Sequence, residues 1–189
     1  MAEPLVPALA AFVDQFEANR KDALDLVGGV TQAQFNWRPE PHRWSMGECV
    51  VHLNLTAIAN LEKIEAMITE ARSKGYRSDG PYKHTWLGNL LATTVDPPPR
   101  FRAKTSKVFI PVQSAHPLEG TMADFARHLD TFIDCARRAN GLDLGRVRTT
   151  SPVTAMIKLT LEEEFRLQAG HQRRHLWQAR NVKNALPAA

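Results

Sequence analysis

The 189-residue sequence predicts an all-α fold, a four-helix bundle with a long crossover between its second and third helices. Three observations carry this. Apolar residues recur every three to four positions over four long segments, the spacing that gives a helix one buried face. Two of the segments open on a Ser/Thr-x-x-Glu capping box, in which side chain and backbone satisfy each other's orphan groups at a helix start. No segment shows the strict alternation of a half-buried strand. Long amphipathic helices without a sheet to cover must pack on one another, and four of them enclose one core.

The first helix is predicted over residues 4–27, with Leu5, Leu9, Phe12, Val13, Phe16, Ala23, Leu24 and Val27 near the helical period. Pro4 and Pro7 fit only its first turn or an extended lead-in, and Gly28-Gly29 ends it. Residues 31–44, with Pro39 and Pro41, read as a turn-rich connection. The second helix opens at Ser45-Met-Gly-Glu48 and runs to about Ser73 through Val51, Leu55, Ile58, Leu61, Ile64 and Ile68, with Gly75 beyond its end. The long connection over 76–117 contains Gly80-Pro81, Pro97-Pro98-Pro99, Pro111 and Pro117, and Trp86-Leu87-Gly-Asn-Leu90-Leu91 reads as a short helix inside it. A structureless connection of that length is uncommon, so it reads as a packed crossover. Helix three is expected to be capped at Thr121 or Asp124, to follow Phe125, Leu129, Phe132, Ile133 and Ala136, and to close at Asn140-Gly141. A second loop over 142–159 includes Pro152, and helix four runs from Thr160-Leu-Glu-Glu163 to about Asn184.

Composition narrows the function classes. The length and the 43% hydrophobic and 23% charged residues suit one globular domain over 1–189. No apolar run approaches the ~18–20 residues of a membrane span. The opening Met1–Pro7 stretch lacks the basic and apolar regions of a signal peptide, and Cys49 and Cys135 form no C-x-x-C pair, which together predict a reducing, cytoplasmic setting. The net charge of +4 comes from 24 basic residues interleaved with 20 acidic ones. Its densest basic clusters, Arg137-Arg138 and Arg173-Arg174, are pairs rather than stripes, so solvated helix faces explain them and no nucleic-acid partner is predicted.

Chemistry concentrates on helix four. Leu161, Phe165, Gln168, His171 or Gln172, His175, Ala179 and Val182 form one stripe, apolar at both ends and polar in the middle. His171 and His175 lie four residues apart, so they project from one face about 6 Å apart along the axis. Two imidazoles so placed can each offer a nitrogen to one metal ion at about 2.0–2.1 Å. A lone helical histidine is usually a surface residue or a satisfied core residue, and spacing alone leaves that reading open for the pair. His171-Gln-Arg-Arg-His175 is not the zincin motif, because Gln172 stands where H-E-x-x-H carries its general base. A third ligand has to come from another helix, and His52, about two turns into helix two, is the candidate.

At this point the residues resemble a family. Trp44-Ser-Met-Gly-Glu48-Cys-Val-Val-His52-Leu is similar to the W-S-x-x-E-x-x-x-H-L signature of the DinB-like superfamily. His171-Gln-Arg-Arg-His175-Leu-Trp-Gln178 resembles its closing H-x-x-x-H-L-x-Q helix, and Phe35-Asn-Trp-Arg38-Pro39 resembles the segment before the tryptophan. The resemblance extends over essentially the whole chain. It implies a bundle with two long crossing connections and a divalent metal held by His52, His171 and His175, with an open coordination position facing a pocket. Zn or Ni stand first as the metal, with Mn or Fe after them. Members of known activity include S-transferases and isomerases that use bacillithiol, mycothiol or glutathione. The resemblance therefore implies a metal-dependent transferase or hydrolase acting on a small-molecule substrate, with a low-molecular-weight thiol as co-substrate. It leaves a homodimer open. The alternative is a metal-binding or ligand-binding bundle without turnover.

Other polar and aromatic residues have plainer roles. Glu48 is explained by its capping box, with an outer contact to His52 as the alternative. Gln168 and Gln178 are candidates to line the pocket or orient the imidazoles. Cys49 reads as a small core residue. Trp44 and Trp177 are expected in the core, and Trp37 and Trp86 in or near connections. His42, His84, His116 and His128 show no ligand spacing, and His84 and His116 read as exposed loop residues. Arg166-x4-His171 fits the loose pattern of HEPN-type ribonucleases but leaves His175 and His52 unexplained.

Overall fold

Four long helices pack as α1 (Pro7–Val27), α3 (Met46–Ser73), α5 (Leu118–Arg138) and α6 (Leu161–Asn184). Shorter elements lie between them: α2 (Gln32–Asn36), α4 (Trp86–Thr94), a 3-10 turn (Lys107–Phe109), and the strands β1 (Arg148–Thr150) and β2 (Lys158–Thr160). The computed structural model describes residues 4–98, 105–150 and 157–187. Pro99 and Pro152, read as loop prolines, lie outside the described residues.

α1 and α3 each pack against both α5 and α6, which closes the bundle around one core. Phe12 stacks on Phe165 at 5.7 Å between ring centroids, and Phe16 on Phe132 at 5.2 Å. Around them Leu9, Leu26, Met46, Ile64, Ile68 and Leu129 are fully buried. The helical period places Leu9, Ile64, Ile68 and Leu129 on inner faces; Met46 lies inside a capping box, and Leu26 takes the inward position expected of Leu24, which with Ile58 is 59% exposed. Cys49 is buried among them as an unpaired thiol, and burial pushes its pKa far up.

Helix starts follow local chemistry where a cap lies nearby in sequence. Ser45 and Thr160 form complete capping boxes with Glu48 and Glu163. Thr31 does the same with Gln34, making a short helix, α2, in what reads as a turn-rich connection. α1 begins at Pro7 rather than Pro4, with proline in the first turn, where its missing N–H costs nothing. α5 departs from expectation. It starts directly after Pro117, not at Thr121 or Asp124, and has no side-chain cap of its own. Gln32 of α2 supplies one, accepting from Leu118 N at 2.8 Å while its amide donates to the His116 carbonyl. No local pattern announces a cap brought from 86 residues away.

The second connection contains a two-stranded antiparallel ribbon, with Arg148 opposite Thr160 and Thr150 opposite Lys158. The sequence predicts a loop there, because three residues per strand are too few to show an alternation. In the long crossover, α4 forms where Trp86 to Leu91 predicts it and docks on α6. Thr85 caps it by accepting from Gly88 N at 2.9 Å. The Glu163 carboxylate in turn accepts from Thr85 N, from the Thr85 hydroxyl and from Thr160 N, so one side chain joins the N-termini of α4 and α6. Gly88 passes so close to that carboxylate that a Cβ would collide with it.

Candidate metal centre

α3 carries His52 in its second turn, and α6 carries His171 and His175 one turn apart. The two helices run antiparallel, since His52 meets the histidine pair while Lys63, three turns on, acts electrostatically on Glu164 near the start of α6. The register brings three rings together. Centroid separations are 4.4 Å for His52–His175, 4.6 Å for His171–His175 and 5.1 Å for His52–His171. One ring nitrogen from each lies within 4.8 Å of the others. His52 and His175 are 3% and 8% exposed, and His171 is partly open to solvent.

The hydrogen bonds set which nitrogens face inward. His52 Nδ1 lies 2.7 Å from the Phe109 carbonyl oxygen, which can only accept. That carbonyl therefore holds the proton on Nδ1 and leaves a lone pair on Nε2, the arrangement that orients a ligating imidazole. His52 Nε2 is 3.3 Å from His171 Nε2. Two nitrogens bound to one tetrahedral cation at about 2.0–2.1 Å lie about 3.3–3.4 Å apart, so this pair already has the separation that a shared ion requires. Without an ion, His171 satisfies His52 by donating an N–H across the same gap. His175 Nδ1 is buried and has no hydrogen-bond partner. Gln178, one turn further on, favours the protonated form of that ring without bonding this atom. The Trp44 ring covers two of the three, at 5.0 Å from His52 and 5.9 Å from His175.

Electrostatics keep the cluster neutral. Burial is the main cause in each case. It lowers the pKa of His52 against the opposing Phe109 carbonyl, and lowers that of His171 to about 3 with help from His52 and Arg174. His175 falls well below its ordinary value through burial and then the other two histidines. Neutral imidazoles are the form in which histidine binds a metal. The convergence of one ring nitrogen from each histidine and the His52–His171 separation together fit a divalent cation.

Residues 15–179 match the DinB superfamily. The chain belongs to that superfamily. No curated protein and no solved structure matches it significantly.

In this DinB superfamily chain the residues around the cluster divide clearly. Glu48 is occupied elsewhere: it completes the Ser45 capping box and forms a double hydrogen bond with Arg38, and against burial these two partners together lower its pKa. The group that orients His52 is instead the Phe109 carbonyl in the 3-10 turn, for which the sequence holds no signal, since any residue carries a carbonyl. Gln168 is buried on the stripe that carries the histidines. Trp44 is partly buried against the core as expected, but Trp177 is 40% exposed, because position 177 turns away from the stripe. His116, read as an exposed loop residue, is buried, held where Asn36 Oδ1 accepts from its backbone N–H. His84 is exposed, as expected, and pairs with Glu162 at 2.9 Å. Arg166 donates to Asn89 of α4, on a different face of α6 from His171, so the Arg166-x4-His171 pattern assembles no ribonuclease-like pair. No helix among the described residues is long and apolar enough to cross a membrane.

Proposed function

We propose that this chain, a single domain over 1–189, is a metal-dependent enzyme. His52, His171 and His175 would hold a divalent cation, Zn or Ni before Mn or Fe, against a small-molecule substrate. The observation that carries this reading is the convergence of three neutral imidazole nitrogens from two helices within 4.8 Å. When bound, the cation supplies a Lewis acid that makes a thiol or water nucleophilic near neutral pH. The chain's own residues do the rest. The Phe109 carbonyl fixes the tautomer of His52, Trp44 shields two rings from water, and burial keeps all three rings free of protons that would compete for their lone pairs. Three uncharged donors leave the positive charge uncompensated, which favours an anionic nucleophile at the site. Superfamily membership favours transfer of a low-molecular-weight thiol to an electrophile. Hydrolysis of a small substrate uses the same arrangement.

Tag-free protein loaded separately with Zn, Ni, Mn or Fe and assayed with a panel of thiols and chlorodinitrobenzene tests this directly. A metal-dependent rate that disappears in His171→Ala supports S-transfer. Metal-dependent cleavage of an activated ester without thiol supports the hydrolase form. Stoichiometric metal with neither rate contradicts the enzyme and leaves a binding bundle without turnover.

A further inference from the structure

The two helices that carry the histidines share a second set of polar residues, and these are buried. At about 100° per residue, Glu164, Gln168, His171 and His175 fall in one stripe of α6 about 60° wide. His52, Thr56, Asn60 and Lys63 fall within about 80° on α3. With the helices antiparallel, the stripes face each other, histidines at one end and Glu164 about 10 Å away along the axis. Thr56, Asn60 and Gln168 are buried, and Glu164 is completely so. A bundle seam is ordinarily filled with apolar side chains.

This seam is short of donors. Neither oxygen of Glu164 has a partner in good hydrogen-bond geometry, the buried Gln168 side chain being the one polar group that favours its charged form from α6, and Asn60 Oδ1 has no partner. The Asn60 amide donates to the Thr56 carbonyl at 2.8 Å. The Thr56 hydroxyl lies 3.1 and 3.0 Å from the carbonyls of His52 and Leu53, to which it donates. The Lys63 ammonium, whose charge acts on Glu164, is directed to the Thr150 carbonyl at 2.7 Å. Burial accordingly pushes the Glu164 pKa up to about 7, against the favourable influence of Gln168 and Lys63. Three unpaired acceptors in one seam are unfavourable enough to need an explanation.

We propose that this seam is the specificity end of the metal site: Glu164 and Asn60 receive the protonated amino group of a ligand whose other end reaches the three histidines. The inference rests on the metal-centre reading above. Once Glu164 is ionised, a primary ammonium brings three N–H donors to three acceptors, the two carboxylate oxygens and Asn60 Oδ1, and a positive charge to a buried negative one. A hydroxyl brings one donor, and a carboxylate tip brings neither a donor nor the charge that ionises Glu164. Sites built around buried polar groups discriminate strongly against ligands that leave them unpaired. The 10 Å offset calls for a spacer of about six to eight atoms between the amine and the metal-binding atom. Below about pH 7, binding ionises Glu164, and its proton leaves to solvent.

The test uses the full chain loaded with Co(II) and titrated with 6-amino-1-hexanethiol, 8-amino-1-octanethiol, 6-mercapto-1-hexanol and 6-mercaptohexanoate. Thiolate-to-cobalt absorption reads binding. The expected result is binding of at least one amine-tipped thiol roughly tenfold or more tighter than the hydroxyl-tipped one. Glu164→Gln abolishes that preference, so that the amine-tipped thiols no longer bind tighter than mercaptohexanol. Infrared difference spectra of the unmutated protein at pH 6 lose a carboxylic-acid C=O band when the amine binds, a readout that needs no variant. Thiols that bind with the same affinity whatever their tip, with no infrared change, overturn the inference and leave the metal centre standing. Cobalt binding with no spectral response to any thiol overturns the thiol part of the functional reading and this inference with it.

Discussion

Glu164 gives stability a pH dependence opposite in sign to that of a paired carboxylate. Its folded pKa of about 7 lies above the ordinary 4.5. Between those values the unfolded chain has lost the proton that the folded chain keeps, so stability falls as pH rises through this window and levels off above it. Glu164→Leu removes the effect and fills similar volume with apolar atoms. The variant is expected to be more stable than the parent by an amount that grows from about pH 4.5 to 7, reaching on the order of 3 kcal/mol. Urea unfolding of the metal-free proteins at a series of pH values measures it. A difference that does not vary with pH would show that the carboxyl is not held protonated. His171 has the opposite slope: its folded pKa of about 3 means that stability is lost as pH falls from about 6.5 towards 3. Because both proteins contain His171, its contribution cancels in the comparison.

Among the elements, α4 depends most on a single contact. Glu163 caps α6 in its own chain segment and also receives the first turn of α4, and Gly88 leaves just enough room for it. Gly88→Ala is expected to push α4 off α6 at a cost of about 1–3 kcal/mol, despite alanine's better helix propensity. Hydrogen exchange should show faster exchange in α4 alone, with the amides of α1 and α5 unchanged; uniform protection would mean that the contact does not hold α4. Glu163→Ala removes the acceptor from both helix starts and is expected to cost about 2 kcal/mol or more in urea unfolding. The same residues show what the sequence reveals of elements. Ser45-x-x-Glu48 and Thr160-x-x-Glu163 start helices where their spacing says, because each cap is complete within four residues. The start of α5 is set by Gln32 from α2, and β1–β2 by a ribbon of three-residue strands, so neither leaves a periodic trace.

Across the whole molecule, the histidine cluster links α3, α6 and, through the Phe109 carbonyl, the far part of the crossover. His171 and His175 are legible as a pair from their spacing, and the Ser45 capping box locates His52 in its helix. That the three meet depends on the antiparallel register of α3 and α6, a property of the assembled bundle that only the family resemblance anticipated. The seam from Thr56 and Asn60 to Gln168 and Glu164 needs the same register, and its missing donors are visible only in three dimensions. A cation that ties these elements together binds the folded chain and not the unfolded one. At a free concentration 100 times its Kd it is expected to stabilise by about 2.7 kcal/mol, a rise in Tm of roughly 5–10 °C for a chain of this size. Differential scanning calorimetry with and without Zn or Ni checks this, and His52→Ala should show no such rise. The most direct test is elemental analysis of protein purified without an affinity tag, alongside His171→Ala prepared identically. Close to one divalent metal ion per chain is expected, lost in the variant. A metal-free parent that takes up no Zn, Ni, Mn or Fe, and whose stability is unchanged when each of the three histidines is replaced, would contradict it.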